Sequence, residues 1–401
     1  MNKKKEIVPK LRFPEFIGDK LKITKLGKIS SVIKEKAGEN KYILMSVTSG
    51  VGLIPQAEKF GREIAGDSYK NYIVIRKYDF AYNKSATKQF PEGYISMLGE
   101  YDIAAVPNSI FTCFRITGNE SYPPFFDYLW HNNYHGHWLR KYIEVGARAH
   151  GALSVDTKHL WGMPLALPDF KEQQKIADCL SSIDDLIDAE SRKLKALEKY
   201  KKGLMQKLFP AEGKTLPEWR FPECKNTYEI KRKRLADVCY YKSSALTTND
   251  VKMDGKYNLY DANKIIGKVN IYASEDRYIT IIKDGAGVGR VRLMDGYTNF
   301  VGTMGMINNN EFVTIDYLYY LLQTIDFRVY AIGGTIPHIY FKDYSKKEIF
   351  LPHIGEQQKI TDCLSEIDTI ITEQSNKVEQ LKIHKKGLMQ GLFPSLEEAD
   401  V

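Results

Sequence analysis

Three glycines in the segment IIKDGAGVGRVRLM have a spacing that could hold a phosphate group: Gly285, Gly287 and Gly289. A dinucleotide-binding loop must lead directly into a helix, because the helix N-terminus faces the phosphate. Residues 290–294 instead alternate like a strand, so we expect a hairpin turn and no nucleotide site. Lys283, Arg290 and Arg292 place positive charge on both sides of this turn.

Three histidines in the segment HNNYHGHW could suggest a metal site: His131, His135 and His137. They lack a supporting carboxylate at ligand spacing, so we expect surface or hydrogen-bonding histidines and no metal. The five cysteines are scattered and never form a CxxC pair, which argues against structural zinc and against a disulfide framework. This cysteine usage is typical of a reduced cytoplasmic protein.

One 39-residue segment occurs twice, at 172–210 and at 356–394. The two copies are identical at 24 of their 39 positions, with a constant offset of 184 residues. A shorter echo links LRFPEF at 11–16 to WRFPEC at 219–224. The chain therefore repeats one order: an RFPE motif, a globular region and a long segment that ends in LFP.

Each copy has apolar residues at alternating spacings of three and four, which predicts a long helix in a coiled coil. Prolines 168 and 210 bracket the first helix, and prolines 352 and 394 the second. The alternative is an amphipathic helix packed on its own domain. The predicted a/d residues are Ile176, Leu180, Ile183, Ile187, Leu194, Leu197, Leu204 and Leu208, and Ile360, Leu364, Ile367, Ile371, Val378, Leu381, Leu388 and Leu392.

Polar residues at a/d positions indicate how the two helices pair. They are Glu190 and Lys201 in the first copy, and Gln374 and Lys385 in the second. Parallel pairing would bury Lys201 against Lys385, a like-charge clash. We therefore expect antiparallel pairing, with Lys201 near Cys363 and Lys385 near Cys179.

The repeat predicts an α+β chain with a pseudo-twofold internal repeat. Two mixed α/β domains, at 1–168 and 225–352, are separated by two long helices that form an antiparallel coiled coil, at 169–210 and 353–394. Residues 211–224 form a linker and 395–401 a tail. The net charge of the chain is +8. The excess of positive charge lies in the two globular regions, with +8 in the first and +4 in the second, whereas residues 353–401 carry −4. Two separate basic domains suit duplex DNA.

Several motifs together resemble those of type I restriction–modification specificity subunits. They are RFPEF, the EQQKIxDCL start and KKGLMQxLFP end of each helix, KDGAGVG and GGTIPHIYFKDYSK, which span essentially the whole chain. The resemblance implies two target-recognition domains that read a bipartite double-stranded DNA site, and a spacer that sets the gap. It also implies docking of two methyltransferase subunits and, in the larger complex, of restriction/translocase subunits. The two globular regions share little sequence, so the site should be asymmetric.

No catalytic motif accompanies this resemblance. The Pro-Pro pair of the chain, Pro123–Pro124, follows Ser121 and Tyr122, which does not fit a methyltransferase loop. Neither a Walker lysine loop nor a nuclease core is found. We therefore expect a non-catalytic chain without its own cofactor. S-adenosylmethionine, ATP and Mg are implied for the partner subunits alone.

The candidate DNA-binding residues fall into two groups. In the first domain they are Lys77, Tyr82, Asn83, Lys84, Ser85, Lys88, Arg148 and His150, and in the second Lys283, Arg290, Arg292, Thr335, His338 and Tyr340. Arg and Lys pair with guanine or phosphate, and Asn pairs with adenine. Each of these residues could equally be a solvated surface residue.

Two other functions stay open from the sequence. The chain could be a coiled-coil scaffold whose basic domains bind proteins, or a self-contained DNA-modifying enzyme, which the missing motifs disfavour. No window has the roughly 18 uncharged apolar residues of a membrane span, so we expect a cytoplasmic protein without a membrane partner.

Overall fold

The computed structural model describes residues 7–48, 50–64, 67–85, 87, 90–108, 111–143, 156–227 and 229–394. The chain forms two compact units. Unit 1 contains residues 1–190 together with 377–401, and unit 2 contains residues 191–376. Each of the two long helices therefore contributes one half to each unit.

Unit 1 alternates short strands and short helices before the first long helix. Its elements are β1 Lys22–Lys25, α1 Leu26–Ile29, β2 Ser30–Val32, β3 Met45–Thr48, β4 Gly52–Pro55, α2 Gln56–Phe60, β5 Ile73–Arg76, β6 Asp79–Asn83, β7 Tyr94–Met97, β8 Ile103–Val106, β9 Phe111–Ile116, α3 Pro123–His131, α4 Tyr134–Leu139, α5 Thr157–Trp161, β10 Pro164–Leu167 and the start of α6 Phe170–Leu208.

The main sheet of unit 1 has the antiparallel order β2-β9-β6-β7, and β1 pairs with β10 beside it. Helix α3 covers this sheet. Phe80, Phe114 and Trp130, none of them exposed to solvent, form the centre of the core. The first part of α6 and the end of α10 complete the core through Leu180 and Leu392. Burial of this apolar surface is the main force that holds unit 1 together.

Unit 2 follows the same plan with fewer strands. Its elements are α7 Pro222–Lys225, β11 Lys231–Arg234, β12 Cys239–Ser243, β13 Tyr257–Tyr260, β14 Ile265–Val269, β15 Tyr278–Ile282, β16 Val291–Met294, β17 Asn299–Phe300, β18 Met304–Asn309, α8 Ile315–Gln323, α9 Phe341–Tyr344, β19 Glu348–Leu351 and the start of α10 Ile354–Leu392. Residues 271–273, which alternate like a strand, lie outside any strand, and Ser274 makes an isolated bridge to Thr298.

The four-stranded sheets of the two units correspond strand for strand. The order β12-β18-β15-β16 of unit 2 matches β2-β9-β6-β7 of unit 1, and β11 pairs with β19 as β1 does with β10. A helix follows the equivalent strand in each unit, α3 after β9 and α8 after β18. The predicted α+β internal repeat is confirmed at the level of topology.

The RFPE motif fixes the start of each long helix through a buried ion pair. Arg12 donates from Nε and Nη2 to the two Glu172 carboxylate oxygens, at 2.8 and 2.6 Å. Arg220 makes the same two contacts with Glu356, at 2.9 and 2.5 Å. The Asp169 carboxylate also caps α6 by accepting from the Glu172 N–H at 2.7 Å.

The long helices lie antiparallel, as predicted. In unit 1, Lys385 of α10 contacts Asp184 of α6 and Lys377 contacts Glu190, so that residue numbers rise on one helix as they fall on the other. In unit 2, Lys201 of α6 contacts Asp368 of α10. All sixteen predicted apolar a/d residues are buried or half-buried.

Each a/d lysine binds a carboxylate of the opposite helix, a partner that the sequence prediction did not include. Lys201 binds Asp368, and Lys385 binds Asp184. The physical reason is charge, since a half-buried ammonium group is stabilised by a carboxylate and not by a thiol.

Among the described residues, no helix combines the length and the apolar composition that a bilayer crossing requires.

Candidate nucleic-acid interface

Two loops of unit 2 that the sequence singled out lie side by side. They are the β15–β16 turn, residues 283–290, and the segment 331–340 that precedes α9. The Gly285 N–H donates to the Pro337 carbonyl at 2.9 Å, and the Ile339 N–H donates to the Lys283 carbonyl at 2.9 Å. These backbone contacts join the loops into one surface, which we call the two-loop surface.

The glycine-rich turn is a hairpin, as predicted, because β15 and β16 are paired on either side of it. Gly285 and Gly289 have φ values of +94° and +85°, a conformation that favours glycine. A Cβ atom on Gly289 would also lie 2.5 Å from Cβ of Phe327. The glycines thus serve the turn and its packing.

The two-loop surface brings together four of the predicted DNA-binding residues of unit 2: Lys283, Thr335, His338 and Tyr340. His338 Nδ1 lies 2.8 Å from a carboxylate oxygen of Asp284, which fixes the ring. Thr335 and Tyr340 are exposed, and Lys283 is half-buried. A cation, a hydroxyl, an imidazole and a phenol therefore belong to two adjoining loops, and these are group types that contact phosphates and base edges.

Arg290 and Arg292 are tied to a neighbouring turn of their own unit. Arg290 Nη2 donates to Asn263 Oδ1 at 2.8 Å, and Arg292 Nη2 donates to the Asn263 carbonyl at 3.1 Å. Arg292 also lies over the Tyr260 ring. These arginines position the 261–264 turn beside the two-loop surface and bring two positive charges to that region.

The predicted DNA-binding run of unit 1 divides between surface and core. Lys77 is exposed in the β5–β6 turn, and Lys84 and Ser85 are half-buried after β6. Tyr82 requires a correction, because its side chain is 1% exposed and its hydroxyl donates to the Glu92 carbonyl at 2.8 Å. Asn83 is buried as well, and its Oδ1 accepts from the Ser85 N–H.

Tyr82 and Asn83 therefore support the loop from beneath and do not face solvent. Lys88, Arg148 and His150 lie outside the described residues. Every residue of β6 is buried, so both faces of this central strand are covered. Alternation along the sequence could not have shown this, since it predicts one covered face.

The three histidines of the HNNYHGHW segment occupy three different environments. His135 is fully buried, and burial lowers the pKa of its imidazole to about 4. His131 lies 3.7 Å from Asp127, while burial raises the pKa of the Asp127 carboxyl. His137 is exposed. In the part of the chain that the structure describes, no three metal-ligating side chains come together.

Parts of the chain are similar to known proteins. Residues 228–381 match the family model "Type I restriction modification DNA specificity domain". The type I restriction enzyme MjaVIII specificity subunit of Methanocaldococcus jannaschii is 27% identical over 283 residues, 63% of this chain and 66% of that protein. The putative MjaX specificity subunit of the same organism is 28% identical over 271 residues, 62% of this chain and 63% of that protein. The chain thus spans slightly less than two thirds of these relatives.

Two solved structures share the fold of this chain over more than nine tenths of its length. The S subunit of a type I restriction–modification system from M. genitalium has a TM-score of 0.60 at 16% identity, with 97% of this chain and 100% of that chain covered. A chain from a structure of type I R-M complex assembly and conformational transition has a TM-score of 0.57 at 16% identity, covering 93% and 97%. The resemblance inferred from the repeated motifs is confirmed.

Proposed function

We propose that this chain, as a member of the type I restriction–modification specificity family, recognises a split double-stranded DNA site, with one half-site for each unit. The observation that carries the proposal is the repeat. Each unit has the same order of strands in its main sheet, its own RFPE ion pair and the start of its own long helix. Their loops differ in sequence and length. A shared framework with different loops suits two different half-sites, and hence an asymmetric target.

Base recognition in unit 2 is assigned to the two-loop surface. Lys283 supplies charge to the phosphate backbone, and Thr335, His338 and Tyr340 supply donors and acceptors for base edges. In unit 1 the equivalent connection, after β6, contains Lys84 and Ser85, while Lys77 lies at the other end of β6. Lys88, Arg148 and His150 stay sequence-based candidates for the same role.

The chemistry of modification and cleavage belongs, in this proposal, to partner subunits. Two methyltransferase subunits dock on the spacer helices and the adjoining surfaces, and restriction/translocase subunits join the larger complex. S-adenosylmethionine, ATP and Mg are then bound by those partners. The glycine turn at 285–289 supports this division, since it leads into a strand and offers no helix N-terminus to a nucleotide.

Co-expression with the adenine methyltransferase of the same system tests the proposal. Sequencing of methylated bases in the host DNA should show one asymmetric split motif that depends on this chain. If no motif appears and the chain captures other proteins through its basic domains, the scaffold hypothesis would replace it.

A single-residue variant tests the assignment of the two-loop surface. Lys283→Met should weaken binding of the assembled complex to every DNA sequence alike and lower the salt dependence of log Kd by about one. Lys214→Met, in the exposed linker of the same unit, is the matched control and should change neither quantity. Equal salt slopes for Lys283→Met and the unaltered chain would remove this lysine from the interface.

A further inference from the structure

A three-residue cluster joins the globular part of unit 1 to both long helices. The Tyr128 hydroxyl, on α3, donates to Oδ2 of Asp184 on α6 at 2.9 Å. The Lys385 ammonium, on α10, donates to Oδ1 and Oδ2 of the same carboxylate at 2.5 and 2.7 Å. Lys385 Nζ also lies 5.1 Å from the centre of the Tyr128 ring. One carboxylate thus connects three elements.

Unit 2 contains the same cluster. The Tyr320 hydroxyl, on α8, donates to Oδ2 of Asp368 on α10 at 2.7 Å, and Lys201 on α6 donates to Oδ1 at 2.6 Å. Lys201 Nζ lies 5.2 Å from the centre of the Tyr320 ring. The aspartates and the lysines are related by the 184-residue offset, and the tyrosines lie on the equivalent helices α3 and α8.

The hydrogen bonds to the Asp184 and Asp368 carboxylates are charge-assisted. Both lysine side chains are largely covered, with 19% of Lys385 and 15% of Lys201 exposed. Hydrogen bonds to a charged acceptor are shorter and stronger than neutral ones, and the ring face adds a favourable contact for the ammonium group. Burial, followed by the neighbouring aspartate, raises the pKa of Tyr128, so its hydroxyl keeps its proton and remains a donor.

We infer that these two Tyr–Asp–Lys clusters are positioning sites that hold each recognition domain at a fixed orientation on the spacer and thereby set how strictly the gap between half-sites is read. The inference rests on the proposed function. The tyrosine hydroxyl adds a directional hydrogen bond from domain to spacer beside the apolar contacts between them, whereas the lysine links the two helices. Removing the hydroxyl should therefore loosen the first link and spare the second.

A rigid joint between domain and spacer makes binding to a DNA site with the wrong gap less favourable in free energy. One added base pair moves a half-site by about 3.4 Å and rotates it by about 35° around the DNA. The complex can follow only by straining the joint between domain and spacer or by deforming the DNA. If the joint is weaker, the same displacement costs less, so discrimination against the wrong gap falls while binding to the right gap changes little.

The variant Tyr128→Phe/Tyr320→Phe tests this inference in the complex assembled with the methyltransferase. Methylation rates are measured on duplexes with the native gap and with one base pair more or less. We expect the ratio of native-gap to wrong-gap rates to fall about tenfold, equivalent to about 1.4 kcal/mol. The native-gap rate should stay within about threefold.

The control variant is Tyr69→Phe/Tyr278→Phe. Each substitution removes a tyrosine hydroxyl that bonds within its own globular region, Tyr69 to the Asn40 carbonyl and Tyr278 to Thr298. The ratio of native-gap to wrong-gap rates in this control should equal that of the unaltered chain. Should Tyr128→Phe/Tyr320→Phe fail to assemble, the single variants Tyr128→Phe and Tyr320→Phe replace it, because each removes one hydroxyl and keeps both lysine–aspartate pairs.

The outcomes separate this inference from the proposed function. Unchanged gap discrimination in the tyrosine variant, or an equal fall in the control, would overturn the positioning role and leave the split-site function standing. If the unaltered complex methylates no split site, or methylates all gaps alike, the proposed function fails and this inference fails with it.

Discussion

The buried ion pair between Arg12 and Glu172 offers a quantitative test of how the RFPE motif holds a long helix in place. The side chains are 7% and 1% exposed, and two parallel hydrogen bonds join them. Arg12→Met keeps much of the apolar stem but leaves the Glu172 carboxylate buried without its guanidinium group.

The expected loss is large because the remaining charge cannot reach water. Removing one partner of a buried pair costs about 3–5 kcal/mol. A typical domain is stable by only about 5–15 kcal/mol, so this is a substantial fraction of the whole. Arg12→Met/Glu172→Leu removes both charges and should recover most of the loss, because no unpaired carboxylate remains.

Arg76→Met is the matched control in the same unit. Arg76 also makes two hydrogen bonds to one glutamate, Glu35, but the two side chains are 44% and 45% exposed. Exposed pairs contribute about 0–1 kcal/mol, so this variant should lose little. The two variants differ mainly in the burial of the pair.

Urea unfolding followed by tryptophan fluorescence measures the difference. Three of the four tryptophans, Trp130, Trp138 and Trp161, lie in unit 1 and dominate the signal. With a slope of about 2–3 kcal/mol per M, a loss of about 4 kcal/mol lowers the midpoint by about 1–2 M. Equal midpoints for Arg12→Met and Arg76→Met would refute the argument from burial.

Three further predictions follow from the helices and the core. The pKa of His135 is lowered to about 4 in the fold against 6.5 when unfolded, so unit 1 should lose about 3 kcal/mol as pH falls from 7 to 4. His135→Gln should flatten that part of the stability–pH curve, and an unchanged slope would assign the loss to other groups. Leu194→Lys/Leu381→Lys places charge at two a/d positions and should abolish complex assembly in gel filtration while circular dichroism still shows folded globular regions. Seven residues added to both helices lengthen each by about 10.5 Å, so the gap in the methylated site should grow by about three base pairs with both half-sequences unchanged. If the gap stays constant, the length of the spacer helices does not set it.

The long helices were predictable because their evidence is periodic and occurs twice. The a/d pattern, the bracketing prolines and the clash of Lys201 with Lys385 together predicted length, pairing and direction. The partners of Lys201 and Lys385 were not predictable in the same way. They are Asp184 and Asp368, which lie outside the a/d pattern and each also accept a hydrogen bond from a tyrosine of another element.

The globular regions were predictable as a class and less so in detail. The hairpin at 285–289 followed from the glycines and the alternating strand after them. The burial of Tyr82 did not, because β6 is the central strand of a sheet that is covered on both faces. A tyrosine beside Asn83, Lys84 and Ser85 has the composition of a surface loop, and only packing distinguishes the two situations.

Unit 1 is built from two segments that lie far apart in the sequence, which affects when it can fold during protein synthesis. Its core contains Met389, Leu392 and Phe393, and the Leu11 N–H bonds to the Gly391 carbonyl. About 200 residues separate these from the end of the first segment at residue 190. At about 5–20 residues per second, ribosomes need roughly 10–40 s to supply them. During translation the N-terminal region therefore waits with an open apolar surface, and its folding finishes only as the last helix emerges.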